Sequence, residues 1–406
     1  MAFQTHTLPN GIRLIHEETR SPVAHCAFYI NIGSADESSD EAGIAHFIEH
    51  LLFKGTHKRK AFHILSRMED VGGEINAFTA KEETCIHCSF LKEHFERAIE
   101  LLGDLVFEST FSEKAIQSER EVILEEINSY KDTPSERIFD DFEDMVFAGH
   151  PLGRNILGNR KSLLRHQRKD ILQFIDCQYT TGRMVLATAG SVPFTRICHW
   201  AQKHYGHYPA KTGQTERLPF SVGPVSRQVL SRKTHQTHTI LGNTAYSLNN
   251  PARVGLFLLT NLLGGNGMTS RLNMLLREKK GLAYNVEASY TPFSDTGIFT
   301  IYFGTDRATL EKSIQLTQRE LASLCEKPLG TLQLHKAKMQ LIGQMAISAE
   351  SDEARMMSYG KSFLIYDRVE PLEETFKKIE AVTALHLREI ANEIIAPGNL
   401  FMLTYS

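Results

Sequence analysis

Residues 84–106, TCIHCSFLKEHFERAIELLGDLV, combine a strand pattern with a helix pattern. The first eight residues are mainly apolar and predict a buried strand, whereas the later apolar residues recur at helical spacing and predict an amphipathic helix. The same order of strand, polar turn and helix returns at residues 297–321, GIFTIYFGTDRATLEKSIQLTQREL. The sequence therefore predicts that the second half repeats the plan of the first.

Between the two halves, proline and glycine cluster in residues 208–227, and the periodic patterns fade there. Such a stretch is typical of a linker between domains. We therefore predict an α+β protein of two homologous domains, each a mainly antiparallel sheet covered by helices. The predicted domains are residues 1–215 and residues 225–406.

The composition is that of a globular protein, with 42% hydrophobic and 23% charged residues and a net charge of -3. Intermixed charges argue against a nucleic-acid surface. No apolar run reaches the 18 or more residues that a membrane helix needs, and the N-terminal segment lacks the pattern of a signal peptide. We therefore expect a cytoplasmic protein that binds neither nucleic acid nor membrane.

The six cysteines are scattered and are typical of a reduced, intracellular protein. The segment Cys85-Ile86-His87-Cys88 could suggest a metal site. In a strand, however, Cys85 and His87 face one side and Cys88 the other, and the second pair that a zinc site needs is missing. These residues are interpreted as structural.

A different pattern, His46-Phe47-Ile48-Glu49-His50, lies in a predicted helix that Ser38 or Ser39 could cap. Residues four apart share a helical face, so His46 and His50 can point two imidazoles at one metal ion, with Glu49 close enough to hold a water on it. Zinc suits these ligands, and a nearby glutamate can take the proton of the water and pass it to a leaving amine. Such a short match can arise by chance, and the second half contains no copy of it.

A catalytic zinc site needs a third protein ligand, and the predicted helix that contains residues 118–130, SEREVILEEINSY, offers candidates. Glu119 and Glu126 are seven residues apart and share a face with the apolar Val122 and Ile123 between them, whereas Glu121 and Glu125 fall on the solvated side. A carboxylate on an apolar face is costly to bury without a cation. We therefore predict Glu126 as a ligand and Glu119 as a partner that orients a ligand or the water.

Taken together, these motifs resemble the pitrilysin/insulinase family of zinc peptidases, in the short-chain branch that includes the β subunit of mitochondrial processing peptidase. Residues 46–56, HFIEHLLFKGT, are similar to the zinc-binding segment of that branch. In the family, the third ligand lies 76 residues after the last histidine of the motif, which implies Glu126. A further functional glutamate lies seven residues earlier, which implies Glu119. The resemblance extends over nearly the whole chain.

The resemblance also implies residues that contact substrate. Residues 72–84, GGEINAFTAKEET, resemble the edge strand of the family's active site, where Asn76 and Ala77 would lie beside a bound peptide. Residues 262–286 resemble the segment that supplies an arginine and a tyrosine from the second half. Arg277 and Tyr284 would bind the substrate carbonyl and stabilise the tetrahedral oxyanion. In the loop before them, Gly267-Met268 departs from the glycine run of many relatives.

The function implied is a zinc endopeptidase with one zinc ion per chain and Glu49 as general base. Its substrates would be unfolded or extended peptides. Because long-chain relatives enclose the peptide with four such domains and this chain has two, it would pair with itself or with a related subunit. The alternative is a non-catalytic subunit, or one that is active only in a heterodimer.

Overall fold

A computed structural model describes residues 3–213, 217–232 and 234–406. The chain divides into two compact units that are discontinuous in sequence. The first comprises Met1–Ile127, Arg154–Arg217 and Ala346–Pro371, and the second Asn128–Gly153, Leu218–Met345 and Leu372–Ser406. The predicted linker and domain boundary fall partly on residues 214–216, which lie outside the described residues.

The strands of the described residues form two sheets. In chain order they are β1 Gln4–Thr7, β2 Arg13–Glu18, β3 Val23–Ile30, β4 Glu74–Thr79, β5 Thr84–Leu91, β6 Met184–Gly190, β7 Arg227–Leu230, β8 Thr237–Thr244, β9 Ala283–Pro292, β10 Gly297–Thr305 and β11 Phe401–Tyr405.

The helices surround these sheets. In chain order they are α1 Ile44–Leu52, α2 Ala61–Glu69, α3 Phe95–Glu108, α4 Glu113–Lys131, α5 Pro134–Val146, α6 Arg160–Arg165, α7 Arg168–Gln178, α8 Phe194–Tyr205, α9 Arg253–Gly264, α10 Leu310–Glu326, α11 Thr331–Ser348, α12 Asp352–Tyr366, α13 Leu372–Ala381 and α14 Ala384–Ile390. None of the helices in the described part of the chain combines the length and apolar character that a bilayer crossing needs.

The two sheets share one topology. The first has the strand order β1-β2-β6-β3-β5-β4 and the second β7-β11-β8-β10-β9. Each contains one parallel pair, β2 with β6 and β7 with β11, and its other pairs are antiparallel. With β1 set aside, β2 to β6 correspond in chain order to β7 to β11. The predicted α+β fold of two similar, mainly antiparallel units is therefore confirmed.

In the first unit, the main core lies between the sheet and helices that include α1 and α3, and it contains Phe28, Phe47 and Leu102. Helix α12 covers the opposite face of the sheet. Its backbone comes close to the strands at Gly360, where an added Cβ would lie 2.6 Å from the ring of Tyr29. Helix α12 thus belongs to the first unit although it lies between α11 and α13, whose residues fall mainly in the second unit.

In the second unit, the core contains leucines of α9 and the phenylalanines of β10, Phe299 and Phe303. Helix α5 packs against β8 and β11. The hydroxyl of Tyr405 donates a hydrogen bond to Asp141, and a Cβ at Gly242 would lie 2.9 Å from the ring of Phe142. Each unit therefore contains one helix from the other half of the sequence, an exchange that the continuous predicted domains, 1–215 and 225–406, do not anticipate.

Candidate metal centre

Helix α1 carries His46, Glu49 and His50, and the structure fixes its first turn in an unexpected way. The helix begins after Gly43, which has a φ of 87° and no room for a side chain, because a Cβ would lie 2.7 Å from the carbonyl oxygen of Leu157. No side chain of the helix's own N-cap satisfies the first N–H groups. The predicted cap at Ser38 or Ser39 is therefore wrong.

The carboxyl group of Glu37 takes the place of that cap. Its two oxygens accept hydrogen bonds from the backbone N–H groups of Gly43 and Ala45, each at 2.9 Å. Burial raises the pKa of Glu37 to about 8, although both hydrogen bonds oppose this shift. Glu37 thereby holds the start of the helix from outside it.

Three side chains of the first unit bring metal-ligand atoms together. Nε2 of His46 lies 3.9 Å from Oε2 of Glu126, and Nε2 of His50 lies 3.6 Å from the same oxygen. One ligand atom from each of these residues lies within 4.8 Å of the other two. Two imidazoles and one carboxylate are a donor set that zinc accepts in catalytic sites, so these residues fit a zinc ion.

Burial keeps His46 in the form that binds a metal. Desolvation, assisted by the neighbouring His50, lowers the pKa of His46 to about 3. The imidazole is therefore neutral near pH 7, with a lone pair available to a metal ion. Its Nδ1 atom is buried and has no hydrogen-bond partner within the described residues.

His50 is held from its other side by a buried carboxylate. Nδ1 of His50 lies 3.3 Å from Oε2 of Glu119, and Oε1 of Glu119 lies 2.9 Å from Nζ of Lys54. Glu119 is only 3% exposed. Because Nδ1 of His50 is engaged by Glu119, Nε2 is the nitrogen that faces Glu126.

Glu49 is held by the last residue of β4. The hydroxyl of Thr79 donates to Oε2 of Glu49 at 2.7 Å. Burial raises the pKa of the Glu49 carboxyl group, and the hydrogen bonds from Thr79 partly oppose that shift. A carboxylate with a raised pKa is a stronger proton acceptor than one in water.

Helix α4 presents its glutamates largely as the sequence predicts. Glu119 is buried, Glu126 is half-buried, and Glu121 and Glu125 are exposed. Of the two apolar residues between Glu119 and Glu126, Val122 is 47% exposed and Ile123 is fully buried, so only part of the predicted apolar face is packed.

The predicted substrate-binding residues Asn76 and Ala77 lie on β4, which forms one edge of the first sheet. Oδ1 of Asn76 accepts a hydrogen bond of 2.8 Å from the N–H of Ala77. On its other side, β4 pairs with β5. The strand therefore has the position that strand addition by a peptide requires.

Arg277 and Tyr284 belong to the second unit, where the structure places them together. Arg277 lies in a π-helical segment, Asn273–Glu278, and Tyr284 lies near the start of β9. The guanidinium carbon is 5.7 Å from the centre of the Tyr284 ring, which is consistent with a cation–π contact. Tyr284 is 79% exposed.

Sequence reasoning did not single out Glu37, Lys54 or Thr79, although each contacts the α1 region. Lys54 lies within residues 46–56 and Thr79 within residues 72–84, the two segments that resemble the family's active site. Only their partners reveal a role, since Thr79 and Glu49 are 30 residues apart and Lys54 and Glu119 are 65 residues apart.

Comparison with known families and proteins gives one consistent result. Residues 13–160 match the family model described as insulinase (peptidase family M16), and residues 166–341 match the peptidase M16 inactive domain. An uncharacterized zinc protease of Bacillus subtilis is 33% identical over 97% of this chain and 95% of its own length. An uncharacterized zinc protease of Mycobacterium tuberculosis is 32% identical, over 98% of this chain and 91% of its own.

Solved structures show the same fold at lower identity. A protease from Helicobacter pylori superimposes with a TM-score of 0.92 at 20% identity, covering 100% of this chain and 99% of that one. A peptidase M16 inactive domain from Pseudomonas fluorescens also gives 0.92 at 20% identity, covering 100% and 98%.

Proposed function

The chain belongs to the insulinase family of peptidases, family M16, and we propose that it is a zinc-dependent endopeptidase that cleaves unfolded or extended peptides. The observation that carries the proposal is the convergence of His46, His50 and Glu126 beside Glu49 on one side of α1. The names of the relatives support the coarser statement that the chain is a metallopeptidase.

His46, His50 and Glu126 would hold one zinc ion per chain. When bound, zinc supplies a Lewis acid that lowers the pKa of water and polarises a peptide carbonyl. The neutral state of His46 and the contact between His50 and Glu119 prepare both imidazoles for this role. Three protein ligands would leave one position open for water, as catalytic zinc sites require.

Glu49 would act as the general base. It lies one residue before His50 and three after His46, and Thr79 fixes its carboxylate by the hydrogen bond to Oε2. Oε1 of Glu49 then remains available to take a proton from the attacking water. The raised pKa of Glu49 favours both this uptake and the later transfer of the proton to the leaving amine.

The edge strand β4 would bind the substrate. A peptide that adds to β4 makes main-chain hydrogen bonds near Asn76 and Ala77, and these place few demands on side-chain identity. Because Thr79 ends the same strand, the peptide would lie next to the base. Arg277 and Tyr284 would bind the substrate carbonyl and stabilise the oxyanion, a role supported by the exposure of Tyr284 and its contact with Arg277.

The enzyme would work as a homodimer or with a related subunit. Arg277 and Tyr284 are present in this chain, so a homodimer would supply every proposed residue. Light scattering on the purified protein, compared with its activity, tests this part. A monomer that is active alone contradicts the need for a partner.

The experiment that tests the proposed function is hydrolysis of an unstructured peptide mixture by the zinc-loaded chain and by Glu49→Gln. The substitution keeps the size of the side chain and removes the base, so zinc still binds while cleavage falls by about 100-fold or more. Glu121→Gln, an exposed change on α4, is the matched control and keeps full activity. If the wild type binds zinc and cleaves nothing, the non-catalytic or heterodimer-dependent alternative replaces the proposal.

A further inference from the structure

We propose that Lys54 is a positioning residue of the metal centre, acting through Glu119 on His50. The inference rests on the proposed zinc site and deepens it. Lys54 would fix the Glu119 carboxylate so that one of its oxygens stays at Nδ1 of His50, and this would set the orientation of the imidazole that binds the metal.

The geometry of Lys54 follows from the end of α1. The helix ends at Leu52, and the N–H of Lys54 still donates to the carbonyl oxygen of Leu51 at 3.0 Å. Lys54 therefore lies about one turn after His50, near the same side of the helix. From there its ammonium group reaches α4, 2.9 Å from Oε1 of Glu119.

The two oxygens of Glu119 have different partners. Oε1 faces Lys54 and Oε2 faces His50, at 2.9 and 3.3 Å. A lysine that holds Oε1 fixes the plane of the carboxylate, and the direction of Oε2 follows from that plane. The contact with Lys54 thus determines where the partner of His50 lies.

The burial of Glu119 distinguishes this ion pair from an ordinary surface pair. Exposed ion pairs contribute little to stability because water and salt screen them. The side chain of Glu119 is 4% exposed and that of Lys54 is 37% exposed, so the carboxylate has lost its water while the ammonium group keeps part of its own. A buried carboxylate needs a compensating charge or hydrogen bonds, and Lys54 supplies the charge.

The formal charges of the site agree with this role. Glu49, Glu119 and Glu126 bring three negative charges, and a divalent ion with Lys54 brings three positive ones. Lys54 therefore balances the charge of Glu119, which is not a ligand. Partners that orient a ligand in this way typically change metal affinity by about 10–100-fold when they are removed.

The test is zinc affinity, measured by chelator competition on the full chain, and it needs no peptide hydrolysis. We expect Lys54→Met to raise the zinc Kd by about 10-fold, Glu119→Gln to raise it at least as much, and the double variant to match Glu119→Gln alone. Lys54→Arg restores most of the affinity because it keeps the positive charge. Lys58→Met, a nearby exposed lysine, is the control and leaves the Kd unchanged.

Two results would overturn the inference. The first is an additive loss in the double variant, which would mean that Lys54 does not act through Glu119. The second is a lower Tm in Lys54→Met with an unchanged zinc Kd, which would make the ion pair purely structural. The variant His50→Ala distinguishes these two results from the case in which the proposed metal centre is itself wrong. If zinc binding survives that change, the proposed metal centre is wrong and the role of Lys54 is wrong with it.

Discussion

Helices α1 and α9 occupy the same position in two sheets of the same topology. Helix α1 follows β3 and α9 follows the corresponding strand β8. Helix α1 places two histidines and a glutamate on one side, whereas α9 buries leucines and no titratable residue. The fold is therefore shared, and the metal chemistry depends on a few side chains of one helix.

The same contrast holds for the second helix that reaches the site. Helix α4 follows strand β5 and helix α3 in the chain, and it supplies Glu119 and Glu126. Helix α11 follows the corresponding pair β10 and α10, contains no carboxylate, and buries only Ala337 among its residues. Helices α9 and α11 therefore bring together no cluster of metal-ligand residues within the described part of the chain, unlike α1 and α4.

The largest effect is expected at the third ligand. Glu126→Gln should weaken zinc binding by more than about 100-fold, because even partners outside the ligand set cost about 10–100-fold. Glu125→Gln, the exposed neighbour on α4, should have no effect. Zinc titration of both variants is the measurement. Equal zinc affinities of the two variants would mean that Glu126 is not a ligand, and α4 and α11 would then not differ in metal binding.

A smaller effect is expected where the edge strand meets the base. Thr79→Val removes the hydroxyl donor to Glu49 and should lower kcat by about 10-fold, since a hydrogen bond to a charged group contributes about 1.5–3 kcal/mol. Thr79→Ser keeps the donor and should retain most of the activity. Steady-state kinetics with unchanged zinc content provide the comparison. A Thr79→Val enzyme with the wild-type kcat would mean that the hydrogen bond from β4 to Glu49 does not support its role as base.

The starts of the two helices provide a matched pair of substitutions. Gly43→Ala should destabilise the protein by about 1–3 kcal/mol, because Gly43 has a positive φ and its Cβ would contact Leu157 and Gly158. Ala252→Gly at the start of α9, where φ is -72°, should change the free energy of unfolding by about 0.5 kcal/mol or less. Denaturant unfolding of both variants would measure the difference. Equal losses would mean that α1 has no special start.

The last effect concerns protonation in the metal-free protein. Because burial lowers the pKa of His46 to about 3, less than about 1% of this imidazole should be protonated at pH 5.5. An unfolded histidine titrates near 6.5, so His46 favours folding fully above that pH. This contribution is lost as the pH falls from about 6.5 towards 3.

Nitrogen chemical shifts of the imidazoles would measure the protonation of His46 directly. His46→Gln should make the pH dependence of stability shallower over this range. Titration of His46 near pH 6.5 would contradict the burial argument. Helix α9 has no residue that could show a corresponding effect.

Local patterns were sufficient for much of this architecture. The strand and helix of residues 84–106 and those of residues 297–321 are each set by their own apolar spacing, and both are confirmed as β5 with α3 and β10 with α10. The convergence of His46, His50 and Glu126 follows from helical geometry together with the family's spacing. Their catalytic roles stay predictions.

Contacts that lie outside the local apolar patterns explain the features that could not be predicted. The start of α1 depends on Gly43 and on Glu37, whose carboxyl group reaches the helix from the preceding loop, so a search for a neighbouring serine cap could not find it. The exchange of α5 and α12 depends on which sheet face each helix covers. Lys54 and Thr79 acquire their roles only through partners on other elements.

The most direct test of the account is the zinc content of the purified chain after dialysis, for the wild type, His50→Ala and His335→Ala. His335 is an exposed histidine of α11 in the second unit. We predict one zinc ion per chain in the wild type, the same content in His335→Ala, and none in His50→Ala. Zinc that remains in His50→Ala would contradict the claim that α1 carries the metal centre.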